Sequence, residues 1–292
     1  MLILFFAGCG GNDDPKPAPN SCENGAVGID IGPQTIAYAA EAEVALKELA
    51  DGVRNIEHEK RLLQRKLDRS RRATNPDNFA ADGTVRRGVK LNWKKSKRYI
   101  CLQHELAHLQ RQQAELRKRQ HTELVNHLLS LGDRFYVEYM EWPALTHRAK
   151  ETAISEKTGR YKRKKRFGKS VGNKAPAMLT DILDQKLNSR GLDGVIKVKT
   201  TVRASQFNHM TGEYQKKHLG QRWNDMPDGR RIQRDLYSAF LLQHMNAAQD
   251  GFDVAALNRD YENFVVLHDR VIEELQTAPK TLSSMGIART AS

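Results

Sequence analysis

Three acidic side chains stand where an acid is out of place. Asp30 lies in Val27-Gly28-Ile29-Asp30-Ile31-Gly32, where Val27, Ile29 and Ile31 keep the two-residue period of a strand, so Asp30 projects from the opposite face. Glu138 sits inside Phe135 to Met140, an aromatic and β-branched run that reads as a buried strand. Asp235 falls in Asp228 to Ala248, which opens on an N-cap candidate and carries Ile232, Leu236, Ala239, Phe240 and Leu242 at helical spacing. One turn from Ile232 and Ala239, it is expected to face inward. A carboxylate held in an apolar element costs free energy unless it is paired or ligates a cation, and its oxygens suit hard divalent ions. Each acid also has a plainer reading. Asp30 could form a turn, Glu141 competes with Glu138 although strand parity sends it to the other face, and Asp235 could pair with Arg231 or Arg234 on a helix surface.

Other potential ligands carry less. His104 and His108 share a helical i, i+4 spacing, but zinc needs further ligands, and a solvated pair is the expectation. Cys9, Cys22 and Cys101 form no CxxC pair, which suggests neither a disulfide framework nor a zinc ribbon. Phe6-Ala7-Gly8-Cys9 resembles a bacterial lipobox, which would imply export with a lipidated Cys9. The missing basic n-region and the short apolar stretch Leu2 to Ala7 count against that, leaving a cytoplasmic, nucleoid-associated protein as the expectation. No apolar run reaches the length of a membrane span.

The elements that must position the acids read as an α/β chain. A strand at Val27 to Ile31, a second at Thr35 to Ala40 and a weaker third at Val44 to Leu49 would form a meander after a leader over 1–25 that is expected to be disordered, its stretch from Asn12 to Gly25 being rich in Pro, Asn and Gly. A basic helix follows over Arg54 to Arg72, then a polar loop over Ala73 to Asn92. A long helix from about Lys94 keeps Tyr99, Leu102, Leu106, Leu109, Leu116, Leu124, Leu128 and Leu131 on one stripe, with Gly132 as its stop. Beyond Glu138 come a helix at Ala177 to Arg190, a strand at Val195 to Val202, a last helix near Leu257 to Gln276 and a polar tail expected to be disordered. The 292 residues allow one large domain with insertions or two ordinary ones.

Charge points to the partner. Lys and Arg number 48 against 35 Asp and Glu, a net charge of +13, which favours a polyanion. The excess is clustered: Lys157 to Lys174 holds nine Lys or Arg and no acid, and Arg54 to Arg72 is predominantly basic. The candidate backbone contacts are Arg65, Lys66, Arg69, Arg71 and Arg72 on the helix, and Arg160, Lys162, Arg163, Lys164, Lys165, Arg166 and Lys169 in the loop. A merely solvated charged loop is the plain alternative for the second group.

Taken in order, Val27-Gly28-Ile29-Asp30-Ile31-Gly32, Tyr136-Val137-Glu138-Tyr139-Met140 and Gln233-Arg234-Asp235-Leu236-Tyr237-Ser238-Ala239 resemble the three RuvC motifs of the TnpB family of transposon-encoded, RNA-guided nucleases, relatives of the type V CRISPR effectors. Leu63-Gln64-Arg65-Lys66-Leu67 and the helices after it resemble the family's basic helical region. The resemblance runs from Ala26 to Ala248. It implies an RNase H-like mixed sheet flanked by helices, with a basic helical hairpin inserted over about 54–131. It also implies two Mg²⁺ or Mn²⁺ ions on Asp30, Glu138 and Asp235, with Asp30 shared between them, and DNA and a guide RNA as partners. The family's long N-terminal half is not matched, so a truncated product is expected. Where the family carries a four-cysteine ribbon, 205–224 has Ser205-Gln206, His209 and His218 but no cysteine, so no zinc is expected. A non-cleaving nucleic-acid-binding remnant and an unguided structure-selective resolvase stand as alternatives to the nuclease.

Overall fold

The computed structural model describes residues 25–156, 158–162, 167–218 and 220–290. Strands β1 (Ala26–Ile31), β2 (Thr35–Ala39) and β3 (Val44–Glu48) form the expected antiparallel meander, with Asp30 opposite Ala37 and Thr35 opposite Glu48. Helices α1 (Glu57–Thr74) and α2 (Lys97–Leu128) then leave the sheet as a hairpin, and β4 (Arg134–Glu138) returns to lie parallel to β1. Three helices follow, α3 (Trp142–Thr146), α4 (Gly168–Lys174) and α5 (Pro176–Asn188), before β5 (Ile196–Val198) adds to β4 in parallel. The mixed five-stranded sheet has the order β3-β2-β1-β4-β5. Two small hairpins, β6 (Phe207–Asn208) with β7 (Glu213–Tyr214) and β8 (Trp223–Asp225) with β9 (Arg231–Gln233), precede α6 (Arg234–Gln243) and α7 (Val254–Thr277).

Strand parity divides the interior in two. Val27, Ile29, Ile31, Phe135 and Val137 meet Val125, Leu128 and Leu129 at the end of α2 and Leu179, Leu183 and Leu187 on one stripe of α5. On the other face Ala37, Ala39, Tyr136 and Val198 meet Leu236, Ala239 and Phe240 of α6, backed by Leu257, Tyr261 and Phe264 of α7. Gly28 points to this second face, and a Cβ there would lie 2.0 Å from the Ala239 carbonyl oxygen and 2.2 Å from the Gln243 nitrogen. The helix therefore rests directly on the strand.

Helix α2 is 32 residues long, about 48 Å at 1.5 Å per residue, and Ser96 caps it by accepting from the Tyr99 amide at 3.1 Å. Only its later turns accompany the sheet. Gln113 donates to the Arg54 carbonyl at 2.9 Å, Arg117 to the Gly172 carbonyl at 2.9 Å and Gln120 to Asp51 at 2.8 Å. These partners cluster where β3 ends, since Lys174, buried at the end of α4, binds Glu48 at 2.8 Å and the Ala50 carbonyl at 3.0 Å. The earlier turns of α2 run on beside α1, past the sheet. The stripe on that arm is only half used: Leu102 is buried, whereas Leu106, Leu109 and Leu116 are half-buried.

Several boundaries differ from expectation, each for a local reason. The helix expected from Asp228 starts at Arg234, because Arg231 to Gln233 pair with Trp223 to Asp225 and Gln233 is the N-cap, accepting from the Leu236 amide at 2.8 Å. Ile232 is thus a strand residue. Gly132 does not cap α2, whose C-cap is Leu129; a Cβ at 132 would lie 2.6 Å from the Gly25 carbonyl oxygen, so the glycine admits the chain entering β1. The strand expected over Val195 to Val202 stops at Val198 and continues as a 3₁₀ turn over Thr200–Val202. The tail expected to be disordered packs back through Met285 and Ile287, both buried, and Trp223 Nε1 donates to the Gly286 carbonyl at 2.8 Å.

Gly28→Ala tests the helix-on-strand contact. The obstructing atoms are backbone, so the added methyl should cost about 3 kcal/mol or more, the upper range for overpacking. A thermal midpoint within a degree or two of the wild type would disprove the close approach.

Candidate functional site

Register brings the first two acids together. Gly28 pairs with Tyr136 and Ile29 with Val137, so the next step along the parallel strands sets Asp30 beside Glu138, on the face that α6 covers. Both carboxylates are half-buried at the strand ends. Glu138 ends its strand, and Glu141 lies off the sheet, exposed at the N-cap of α3. Strand termination, rather than parity, removes Glu141 from the site. The third acid, Asp235, arrives on the first turn of α6, because Gly28 lets that helix down onto β1.

The electrostatics show how closely the three are gathered. Asp30 is pushed up to about 8, first by removal from water, then by the charge of Asp235 and then by that of Glu138. Arg234 and the Ser238 hydroxyl act on it in the opposite sense, although the buried Ser238 oxygen makes no hydrogen bond of full geometry. Burial also raises Glu138. Asp235 is held by cations: Arg234 Nη2 and Nε donate to its Oδ1 at 3.0 and 3.2 Å, Arg222 Nη1 stands 3.7 Å from its Oδ2, and Gln233 Nε2 reaches that oxygen at 3.4 Å. Of the two arginines expected as possible partners, Arg234 is used, while Arg231 binds Asp225 at 3.2 Å. Among the described residues, no three His, Cys, Asp or Glu side chains converge tightly enough to hold an ion as they stand. The donor chemistry nevertheless fits a hard divalent cation. Burial and then the charges of Asp235 and Glu138 raise Asp30, and a cation among the three carboxylates would relieve the repulsion.

The expected phosphate contacts fall into groups. Arg65, Lys66 and Arg69 are exposed along α1, and Arg160, Lys162 and Lys169 are exposed before and within α4. Arg71 and Arg72 have an internal task. Arg71 lies over Trp93 at 5.3 Å, Arg72 lies over Phe79 at 4.7 Å and donates to the Gly83 carbonyl at 2.6 Å, and both bind Asp68. Arg163, Lys164, Lys165 and Arg166, like Lys157 and Cys9, lie outside the described residues. His104 and His108 are both exposed.

Sequence reasoning missed the groups that support Asp235. His268, buried on α7, accepts the Gln233 amide hydrogen at its Nε2 at 3.0 Å, which leaves Nδ1 protonated to donate to Asp269 at 2.8 Å. Gln233 then caps α6, and its side-chain nitrogen also donates to the Met285 carbonyl at 3.2 Å. A histidine in an amphipathic helix gives no sign of this without the fold. In the β6–β7 hairpin, His209 is buried and bonded to the Tyr237 hydroxyl at 2.7 Å, while Phe207 stacks on Phe252 at 4.9 Å. Aromatic packing fixes the hairpin there.

Burial depresses the pKa of His121, His209 and His268, so each folds in its neutral form. The unfolded chain binds more protons below about pH 6.5. Stability from these histidines is therefore complete above that pH and is lost as pH falls below it. His268→Phe should lower the urea midpoint at pH 7.5, because the Gln233 amide loses its acceptor at a cost of about 1–3 kcal/mol. The variant should also lose less than the wild type between pH 7.5 and 5.5. Parallel losses in the two proteins would show that His268 is not neutral in the fold.

Searched against protein-family models and against curated proteins, the chain matches none.

Proposed function

We propose that this chain is a metal-dependent DNA nuclease with an RNase H-like core of the RuvC type, of the TnpB kind and RNA-guided in its intact form. The observation that carries the reading is the placement of Asp30, Glu138 and Asp235 on one face and at one edge of a mixed sheet, from two adjacent parallel strands and the helix seated on them. The strand order with its antiparallel meander and two added parallel strands supports it. Two Mg²⁺ or Mn²⁺ ions held by these carboxylates would supply an activated water, neutralise the phosphate and assist the departing oxygen. The chain's own groups have definite tasks. Asp30 gives up the proton that burial and its acidic neighbours keep on it, and Arg234 yields an oxygen of Asp235 while remaining near the phosphate. The cations of α1 and of the loop before α4 hold the backbone, and base pairing with a guide selects the sequence.

One observation favours a second reading, a nucleic-acid-binding remnant that does not cut. Arg234 and Arg222 together address both oxygens of Asp235, and a permanent ion pair there would shut the site.

Cleavage of single-stranded DNA decides between them. Under the nuclease reading cutting requires Mg²⁺ or Mn²⁺ and stops with EDTA. Asp30→Ala, Glu138→Ala and Asp235→Ala should each lower it by roughly 10³-fold or more, as when one member of a catalytic unit is removed. Glu141→Ala should cut normally. Full activity in Asp30→Ala would sink the mechanism, and inactivity of the wild type isolated together with its bound RNA, with DNA binding retained, would establish the remnant.

A second measurement uses the Asp30 proton. Because its carboxyl is neutral below about pH 8, a cation must displace a proton to bind. Mg²⁺ should therefore raise the thermal midpoint more at pH 8.5 than at pH 6.5, and the difference should vanish in Asp30→Asn. An equal Mg²⁺ effect at both pH values would place the ion elsewhere.

A further inference from the structure

The loop between α1 and α2 and the first turn of α2 carry a charge run that the carboxylate site does not account for. From Gly83 to His104 the chain has seven Lys or Arg, namely Arg86, Arg87, Lys90, Lys94, Lys95, Lys97 and Arg98, and no acid. All seven are exposed. A solvated charged loop normally relaxes by spreading its charges, but this one is tied down. Asn75 donates to the Lys94 carbonyl at 3.0 Å and accepts the Lys94 amide at 2.7 Å, and Asn78 donates to the Asn92 carbonyl at 2.8 Å. Trp93 packs edge-on against Phe79 at 5.7 Å with Arg71 over its ring. The frame fixes the backbone from which the cations project.

Their placement also works against the fold. Lys97 and Arg98 occupy the first turn of α2, which has no acid, so they stand at the positive end of the helix dipole. That arrangement is unfavourable by about 0.3–1 kcal/mol per charge at low salt. A phosphate backbone turns both the dipole and the repulsion into attraction.

The geometry sets where that backbone runs. Arg117, bonded to the Gly172 carbonyl, is level with the sheet edge where β3 ends at Glu48, and this is also the edge at which β1 ends just after Asp30, so the arm leaves the acids' edge from the opposite face of the sheet, the face on which α2 packs. From Arg117 back to Lys97 is twenty residues of continuous helix, about 30 Å at 1.5 Å per residue. That is the length of about nine base pairs at 3.4 Å each.

Resting on the nucleic-acid reading above, we infer that the tip of the α1–α2 hairpin is a second phosphate-binding surface, engaging a duplex close to one helical turn away from the carboxylates. The hairpin is an arm that lies along the duplex, with Arg65, Lys66 and Arg69 on its length and the seven cations of the loop and the first turn of α2 at its end.

The test uses the full chain in EDTA, a series of DNA duplexes from 6 to 24 base pairs, and fluorescence anisotropy at several salt concentrations. The variant is Lys97→Glu with Arg98→Glu. Acids in the first turn of α2 favour the helix, so its thermal midpoint should equal or exceed that of the wild type. In the wild type, affinity should step upward, by about tenfold or more, once the duplex is long enough to reach the tip. The salt dependence should steepen at that length by about 0.9 for each phosphate engaged. The variant should bind short duplexes as the wild type does and lose the step. A step that survives the variant would overturn the inference, as would equal weakening at every length, which is the mark of general charge loss. The absence of a step in the wild type would overturn it too. Failure of the wild type to bind any duplex or single strand would instead remove the nucleic-acid reading on which it rests, and because no metal is present the result does not depend on cleavage.

Discussion

The contact on which the rest of the site depends is one between backbones. Gly28 has no side chain, and the Ala239 carbonyl and Gln243 amide of α6 occupy the space that a Cβ would take. Nothing larger than hydrogen fits between strand and helix there. This brings the first turn of α6 to the strand ends, where Asp235 joins Asp30 and Glu138, and it lets Leu236, Ala239 and Phe240 close the second core. The constraint is supported from behind, since α7 supplies His268 to hold Gln233 and Gln233 starts the helix. Fold and site are thus coupled at one position: relaxing the helix-on-strand contact moves an acid as well as opening a core.

With that geometry imposed, the acids repel one another and the molecule must compensate. It does so in two ways. A proton stays on Asp30 up to about pH 8, and Arg234 and Arg222 surround Asp235. Both compensations are reversible, and a divalent cation would replace both. A protonated acid and a carboxylate held by arginines are a reasonable resting state for a metal site, and they would equally be the permanent state of one that had ceased to bind metal. The difference lies in whether Arg234, half-buried beside Asp235, can exchange its partner for a phosphate. Its exchange, more than the acids themselves, separates the two readings proposed above.

The strands were legible because each acid interrupts a pattern. Asp30 and Glu138 break alternating or apolar runs, and parity alone put Asp30 on the face opposite Ile29 and Ile31. What the sequence could not show was the pairing of β1 with β4 across a 102-residue interval between Ile31 and Arg134, since nothing local encodes which distant strand a strand will meet. The limits of α6 were misread because Ile232, Leu236 and Ala239 have helical spacing whether or not the first of them is in the helix. Arg71, Arg72 and Lys174 illustrate a different limit. In a basic protein any arginine reads as a phosphate contact, yet Arg71 and Arg72 staple the 75–96 loop and Lys174 is buried against Glu48. Burial separates structural cations from available ones, and composition is silent about burial.

The charge distribution then acquires a logic that net charge alone does not have. A site of three acids repels phosphate, so affinity must come from elsewhere on the surface. The chain meets this by distance. Its acids sit at a sheet edge, and a two-helix arm projects beyond that edge, carrying cations along one helix and seven more at its tip, five on the loop and two on the first turn of α2. Attraction on the arm is screened over about 8 Å at physiological salt, so it cannot neutralise acids some 30 Å away, the length of twenty helical residues at 1.5 Å each. The two charged regions stay electrostatically independent. On the reading proposed above, a polyanion long enough to reach both is presented to the acids by its own stiffness, whereas a short fragment is held by the cations alone and is not.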